Sequence, residues 1–283
     1  MNNSFERLDK PFENNQEKEE GIESNPRWIA QYKLFKEKFK VNPEYIYYPC
    51  CARDTSPSKA FPESKIIYTD IDSNSIEALK QAGYEAKEVS ALEYDPGKID
   101  MLIMRNPVIP PEEPASYVQK GNYILCNDYH NTASYIKSNK EFEIRARIGQ
   151  KNKDELEFDT ENLEDYWKTV ESDEEFKESP FSFGSINYKQ AALIVEQITG
   201  KKENILEEYK KIAKEAREQA LDKYKEIISQ EPELKEHLPN PEKEDFFMYN
   251  FQGKQFMILT SLPRKKGTVD DLFVFQRKET DSK

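Results

Sequence analysis

Two short apolar runs, IDMLIM (99–104) and GNYILCN (121–127), constrain the fold of this chain more than any other feature. Runs of this length without polar alternation are typical of parallel strands that are buried on both faces of a sheet. Strands alternating with helices along the chain then predict βαβ units, and hence an α/β fold. The other predicted elements of this part are strands at 44–48, 65–70 and 85–89 and helices at 27–39, 73–83 and 131–140.

The rest of the chain predicts three parts. Residues 1–25 are acidic and lack apolar periodicity, so we expect a flexible N-terminal arm. Residues 26–149 and 267–283 form the α/β domain, in which 142–148 and 271–278 alternate in polarity like strands nearer a sheet edge. Residues 150–266 form a mainly helical insertion, with a long amphipathic helix over 202–230 and a hairpin over 245–260 that turns at Gln252-Gly253.

Charge and cysteine content limit the classes of function. The net charge is −12, which disfavours a nucleic-acid partner without excluding RNA and favours a small molecule or a protein. The three cysteines cannot all pair, and no signal peptide or membrane-spanning run is evident, so we expect a soluble cytoplasmic protein. With only two histidines and no C-x-x-C pattern, no metal site is predicted.

Ligands of parallel α/β sheets bind beyond the carboxyl ends of the strands. The segment after the first strand, YPCCARDTSPSKAF (48–61), contains no glycine, which argues against a dinucleotide because its pyrophosphate needs close backbone approach. This segment is either a ligand loop or a tight turn. Asp70 ends the second strand, where its carboxylate can bind both ribose hydroxyls; the alternative is that Asp70 or Asp72 caps the next helix.

Several tracts together resemble the class I S-adenosylmethionine (SAM)-dependent methyltransferases, over about residues 40–149 and 268–278. YTDIDSNSIEALKQAG resembles the second motif of that family, YIYYPCCARDTS lies in the place of its glycine-rich first motif, and VSALEYDPGKIDMLIMRNP resembles the stretch up to its fourth motif. GNYILCNDYHNTASYI resembles the fifth strand and its helix, and 142–148 with 271–278 would be the antiparallel sixth and seventh strands.

The resemblance implies a Rossmann-like, mostly parallel sheet with an antiparallel last strand, and SAM as the cofactor. Asp70 takes the place of the acidic residue that binds the SAM ribose. Two positions depart from the family, since Tyr48 stands where an acidic residue is common and Ser90 replaces an acidic adenine contact. The cofactor-binding residues that follow from the resemblance are Tyr48, Pro49, Cys50, Cys51, Asp70, Ile71, Ser90 and Ala91.

Asn106 and His130 are the candidate catalytic residues. Asn106-Pro107 resembles the Asn-Pro-Pro-aromatic motif that holds a target nitrogen in amino-group methylases, although RNPVIPP also suits a plain turn. His130 follows the fifth strand, and the ordinary pKa of a histidine lies close enough to neutral pH for a general base. The alternative is an exposed histidine near a helix start. Cys50 and Cys51 are either nucleophiles or, without a nearby base, small residues that line the turn.

Three functions compete. The first is a SAM-dependent methyltransferase of unknown acceptor, in which the insertion contacts a protein partner or serves as a structural cover. The second is a catalytically inactive binding or scaffolding protein of the same fold, which the missing glycines favour. The third, a nicotinamide-dependent oxidoreductase, lacks a phosphate loop and leaves the last strand pair unexplained.

Overall fold

The structure is a computed structural model that describes residues 17–19, 21–152, 155–179, 185–236, 246–259, 261–268 and 270–279. Its described residues fall into two compact units. The first unit comprises the chain up to Asn127, Tyr135–Phe158 and the chain from Leu272, and the second comprises Asp128–Ser134 and Asp159–Asp271. No helix in these described ranges has the length and apolar character needed to cross a membrane.

The first unit is built on one eight-stranded sheet. Its five parallel strands are β3 (Tyr45–Pro49), β4 (Lys65–Asp70), β5 (Ala86–Glu88), β6 (Ile99–Met104) and β7 (Val118–Cys126). The remaining strands are β8 (Phe142–Asn152), β9 (Glu155–Asp159) and β12 (Leu272–Arg277). The spatial order is β5-β4-β3-β6-β7-β12-β8-β9, and β12 runs antiparallel to both β7 and β8. This arrangement confirms the predicted Rossmann-like sheet with an antiparallel last strand.

Helices flank the sheet and connect its strands. They are α1 (Pro26–Phe39), α2 (Ser56–Ala60), α3 (Ser73–Gln81), α4 (Glu112–Ser116) and α5 (Thr132–Ser138). Asn25 caps α1, because its side chain accepts from the amides of Arg27 and Trp28. The apolar face of α1 buries Tyr32 and Phe35 in the core that also contains Ile46 and Ile103.

A short hairpin of β1 (Glu17–Glu19) and β2 (Ile22–Ser24) precedes α1. Ile22 is only 5% exposed and packs in the core of the first unit. Residues 22–24 therefore differ from the flexible arm expected for 1–25, because the buried Ile22 anchors them. One apolar residue produces no periodic pattern in the sequence, so this anchor was not predicted. Residues 1–16 of that expected arm lie outside the described residues.

The second unit has its own apolar core. Its helices are α6 (Asp173–Glu178), α7 (Tyr188–Thr199) and α8 (Ile205–Gln230), with 3₁₀ helices at Leu163–Trp167 and Pro232–Glu236. The strands β10 (Phe246–Phe251) and β11 (Lys254–Leu259) form the predicted hairpin, and its turn residues Gln252 and Gly253 both have positive φ. One face of this hairpin packs on α8, so that Tyr209, Ile212, Phe247 and Ile258 are buried together.

Candidate functional site

The loop after β3 keeps a left-handed backbone without glycine. Cys50 and Ala52 have φ of 51° and 47°, values that glycine adopts without steric cost and other residues rarely take. The amide of Ala52 donates to Oδ2 of Asp70 over 2.9 Å. The loop thus follows a path that suits glycine, and it meets the end of the neighbouring strand β4.

Asp70 and Asp72 have different roles at the end of β4. Asp72 caps α3, since its Oδ1 accepts from the amide of Asn74 at 3.2 Å. The Oδ1 of Asp70 accepts from the amide of Asp72 at 3.0 Å, which leaves each Asp70 oxygen a second acceptor position. The structure therefore assigns the cap to Asp72, and the half-buried carboxylate of Asp70 is held by two backbone amides at the sheet edge.

Exposed apolar side chains lie on the loops after three of the parallel strands. Ile71 follows β4 and is 75% exposed, Val108 follows β6 and is 74% exposed, and Leu92 follows β5 and is 42% exposed. Between them, the Ser90 hydroxyl accepts from the amide of Leu92 at 3.3 Å and Ala91 is buried. The carboxyl edge of the sheet therefore carries exposed apolar side chains on three loops as well as the Asp70 carboxylate.

Three of the predicted loop residues point into the protein. Tyr48 is 1% exposed and donates its hydroxyl to Asp54 at 3.0 Å, and Pro49 and Cys51 are also buried. Burial and the neighbouring Asp70 carboxylate raise the pKa of Cys50 to about 11. Burial likewise raises the pKa of Cys51. Both cysteines are therefore protonated thiols at neutral pH, which argues for lining residues over nucleophiles.

A buried polar cluster joins α1 to the residue that follows β6. The sequence patterns did not predict this cluster. Arg105 is 2% exposed, donates to the Tyr32 hydroxyl at 3.3 Å and to Gln31, and stacks on Trp28. Burial raises the pKa of Asp54 to about 6, and hydrogen bonds from Ser56 and Tyr48, followed by the Arg105 charge, partly offset this rise. An arginine directly after a buried strand was the available signal, because such a cation needs partners.

The residues around β2 pack on the same loop. The Glu23 amide donates to the Arg53 carbonyl at 2.9 Å, and the Thr55 amide donates to the Glu23 carbonyl at 2.8 Å. A guanidinium nitrogen of Arg53 donates to the Gly21 carbonyl at 3.4 Å. The loop of the candidate site is therefore held from its far side by a segment that precedes the sheet.

Asn106 lies at the end of β6 with a left-handed backbone of φ 50°. Its amide donates to Oδ1 of Asn127 at 3.0 Å, and Nδ2 of Asn127 donates back to its Oδ1 at 2.5 Å. The pair joins the ends of β6 and β7. Asn106 and the predicted cofactor-binding residues all belong to the first unit.

His130 belongs to the second unit, in the segment Asp128–Ser134. The His130 ring lies edge-on to the Tyr129 ring, with the two ring centroids 4.8 Å apart. Burial lowers the pKa of His130. A neutral imidazole is thereby favoured near neutral pH, as a proton acceptor requires. Among the described residues of both units, no group of three or more His, Cys, Asp or Glu could hold a metal ion.

Comparison with known proteins yields similarity to solved structures alone. No protein-family model matches the chain, and no curated protein matches it. NodS, an N-methyltransferase from Bradyrhizobium japonicum WM9 in complex with S-adenosyl-L-homocysteine (SAH), is 9% identical over 46% of this chain and 81% of its own, with a TM-score of 0.37. StiE O-MT is 13% identical over 42% of this chain and 55% of its own, with a TM-score of 0.33.

The plantazolicin methyltransferase BpumL, also solved with SAH, is 15% identical over 40% of this chain and 52% of its own, with a TM-score of 0.30. The chain thus spans about half the length of StiE O-MT and BpumL. At these identities the assignment of the fold depends on the strand order, with β12 antiparallel between β7 and β8. The chain has the class I methyltransferase fold.

Proposed function

We propose that the first unit binds SAM at the carboxyl edge of its sheet and that the protein is a methyltransferase. The observation that carries this proposal is the Asp70 carboxylate, held by the amides of Ala52 and Asp72 at the end of the second parallel strand. Its remaining acceptor positions suit the two hydroxyls of a ribose. The antiparallel β12 supports a methyltransferase over a dinucleotide-binding protein.

The residues around Asp70 fit the other parts of the cofactor. The exposed side chains of Ile71 and Leu92 offer apolar contacts for a purine ring, and the Ser90 hydroxyl offers a hydrogen-bonding group beside them. The loop from Pro49 to Ala52, which includes Cys50 and Cys51, would bound the methionine part. Its lack of glycine is tolerable for this ligand, because SAM has no phosphate that needs close backbone approach.

SAM supplies an activated methyl group on a sulfonium, so the protein contributes mainly alignment and a destination for the acceptor's proton. We propose that Asn106 orients the acceptor, since its Nδ2 group remains a donor beside the Asn127 contact. His130, which belongs to the second unit, remains the predicted proton acceptor. Tyr48 stays a predicted neighbour of the cofactor only through its backbone, because its side chain is buried.

The acceptor is proposed to be a small molecule or a protein, because the net charge of −12 repels a nucleic-acid backbone. The acidic insertion is proposed to contact a protein partner. The three cysteines are free thiols, which supports a reducing location such as the cytoplasm.

Calorimetric titration with SAM and SAH tests the proposal. We expect saturable binding that D70A weakens at least tenfold, which corresponds to about 1.4 kcal/mol. E93Q is the matched control, since it removes an exposed carboxylate after β5 and should leave the affinity unchanged. Absence of saturable binding at millimolar ligand would reject a SAM site.

The alternative is a catalytically inactive binding protein of the same fold, which the lack of glycine in the loop after β3 favours. The bond from the Ala52 amide to Asp70 would then only join the loops after β3 and β4. If SAM does not bind, the fold serves as a scaffold. The same calorimetry therefore decides between the two functions.

A further inference from the structure

The segment Asp128–Ser134 of the second unit contains a polar cluster that the proposed function leaves unused. Asp128 is 8% exposed, and its carboxylate accepts from both the amide and the hydroxyl of Ser134, at 2.8 and 3.1 Å. These bonds close the segment on itself, with His130 between the two ends. The backbone of Asn131 is left-handed, with φ of 59°, and its amide donates to the Asp128 carbonyl at 3.3 Å.

Arg264 joins both ends of this segment. One guanidinium nitrogen donates to the Asp128 carboxylate and also to the Ser134 hydroxyl, at 2.8 Å for the latter. The guanidinium lies over the Trp167 ring with its carbon 5.5 Å from the ring centroid, and the Trp167 indole donates to the Ser134 hydroxyl at 3.0 Å. The Ser134 hydroxyl thus donates once and accepts twice, which uses its full hydrogen-bonding capacity.

We propose that Arg264 is a positioning residue that fixes the conformation of Asp128–Ser134 and thereby the place of His130. The role of His130 as proton acceptor rests on the proposed function, whereas the positioning itself does not. Arg264 neutralises a nearly buried carboxylate, so without it Asp128 would be drawn towards water and the turn would open. The left-handed Asn131 would lose the contacts that hold it in that conformation.

The arrangement goes beyond a surface ion pair. An exposed pair leaves its neighbours unaffected when it is lost, but here one cation satisfies two atoms that are six residues apart in the chain. Thr132, inside the segment, is 1% exposed, and its hydroxyl has no hydrogen-bond partner within the described part of the chain. A buried hydroxyl of this kind is tolerated where surrounding contacts enforce the conformation.

The test uses the 283-residue chain carrying H237Q, so that His130 is its only histidine. Amide hydrogen exchange of residues 129–133 and the NMR titration of the His130 ring are measured in R264M, R264K and K265M. K265M is the matched control, because Lys265 also forms ion pairs in the second unit, with Glu171 and Glu175. Lysine at 264 retains the charge and one donor nitrogen but loses the planar stacking on Trp167.

We expect R264M to accelerate exchange in 129–133 at least tenfold and to move the pKa of His130 up towards its ordinary value. R264K should give a smaller acceleration and K265M none, with α8 amides unchanged in all three. A pKa change without faster exchange would mean that Arg264 acts only through its charge, and this would overturn the proposal. Equal acceleration throughout the second unit, or the same effect in K265M, would also overturn it.

SAH titration of the same variants separates this proposal from the proposed function. Because Asp70 belongs to the first unit, R264M should bind SAH as the unsubstituted chain does. If the unsubstituted chain fails to bind SAH, the methyltransferase function is rejected, while the exchange data still decide whether Arg264 positions the segment.

Discussion

Ala52 holds a conformation that its side chain disfavours. A residue with a Cβ atom in the left-handed region costs roughly 1–2 kcal/mol, and Ala52 has φ of 47°. The loop keeps this path because the Ala52 amide bonds to Asp70 and flanking residues are packed on the N-terminal segment. The strain is therefore stored where the candidate site lies, as is common for functional loops.

A52G should relieve this strain. Glycine loses more chain entropy on folding, so we expect a net gain of about 0.5–1 kcal/mol in the free energy of unfolding, measured by urea denaturation. G83A is the reciprocal control in the same unit. Gly83 has φ of +87° and open space around an added Cβ, so only the backbone opposes that substitution and a loss of about 1 kcal/mol is expected. A destabilised A52G would show that the loop is not strained.

The carboxyl group of Asp54 predicts a dependence of stability on pH. Its pKa is about 6 in the folded protein, raised by burial from 3.8. The folded state thus binds this proton more tightly than the unfolded chain does, and its stabilisation is lost as the pH rises from about 4 to about 7. At about 1.4 kcal/mol per pKa unit, the loss amounts to about 2–3 kcal/mol.

D54N removes the group while it keeps an acceptor for the Ser56 amide and a similar shape. Urea denaturation at several pH values should show the stability of D54N gaining on that of the unsubstituted chain between pH 4 and 7. Exposed carboxylates contribute equally to both proteins, so the difference isolates Asp54. A difference that is constant over this range would contradict the raised pKa.

Helix α8 begins at a cap that lies far away in the sequence. Its own N-cap residue, Asn204, makes no side-chain cap bond, and instead Asp173 of α6 accepts from the amides of Ile205 and Leu206 at 3.0 and 2.8 Å. Two free amides at a helix N-terminus prefer an anionic partner. The carboxylate therefore fixes α6 against the start of α8.

D173A should lower the free energy of unfolding of the second unit by about 1–3 kcal/mol, because both amides lose a charged acceptor. D173N retains one acceptor oxygen and should fall between D173A and the unsubstituted chain. E174A, at an exposed position of the same helix, is the control and should change little. The readout is circular dichroism at 222 nm during urea denaturation, and equal losses in D173A and E174A would refute the cap.

Sequence patterns predicted the elements whose periodicity is long or apolar. Strands β6 and β7, the helix α8 and the hairpin of β10 and β11 were all predicted, because burial on both faces, a 3.6-residue stripe and a glycine-containing turn leave clear patterns. Helix α7 was missed although Asn187 and Gln190 form a capping box and Gly200 ends it. Its capping signals span only a few residues, and the longer apolar stripe of α8 is the stronger helical pattern in this part of the sequence.

The candidate site was predictable in part. The position of Asp70 was predicted because it ends a parallel strand, and the carboxyl ends of all parallel strands lie at the same edge of the sheet. The Arg105–Gln31 bond and the Arg264–Asp128 bond could not be predicted, because each joins residues more than 50 positions apart. The position of Arg105 directly after a buried strand indicated that it needs partners, but tertiary packing decides which residues these are.

At the scale of the whole molecule, each of the two units contains an apolar core of its own, and this has a consequence for ligand binding. The core of the first unit includes Ile46, Tyr68 and Ile103, and that of the second includes Tyr209, Ile212 and Ile258. Units with their own cores generally unfold as separate cooperative units. A ligand held by the first unit then stabilises that unit alone.

SAH at a hundred times its dissociation constant should stabilise the first unit by about 2.7 kcal/mol. Amides of β3 and β4 that exchange through unfolding of this unit should slow about a hundredfold, because each 1.4 kcal/mol corresponds to a factor of ten. Amides of α8 should keep their rates, since Tyr209 and its neighbours pack in the other core. Hydrogen exchange with and without SAH measures both. At the same SAH concentration, D70A should reduce the slowing of the β3 and β4 amides from about a hundredfold to about tenfold or less, because its affinity is at least tenfold lower. Equal protection of α8 would show that the two cores unfold together, so that a ligand at Asp70 stabilises the insertion as well.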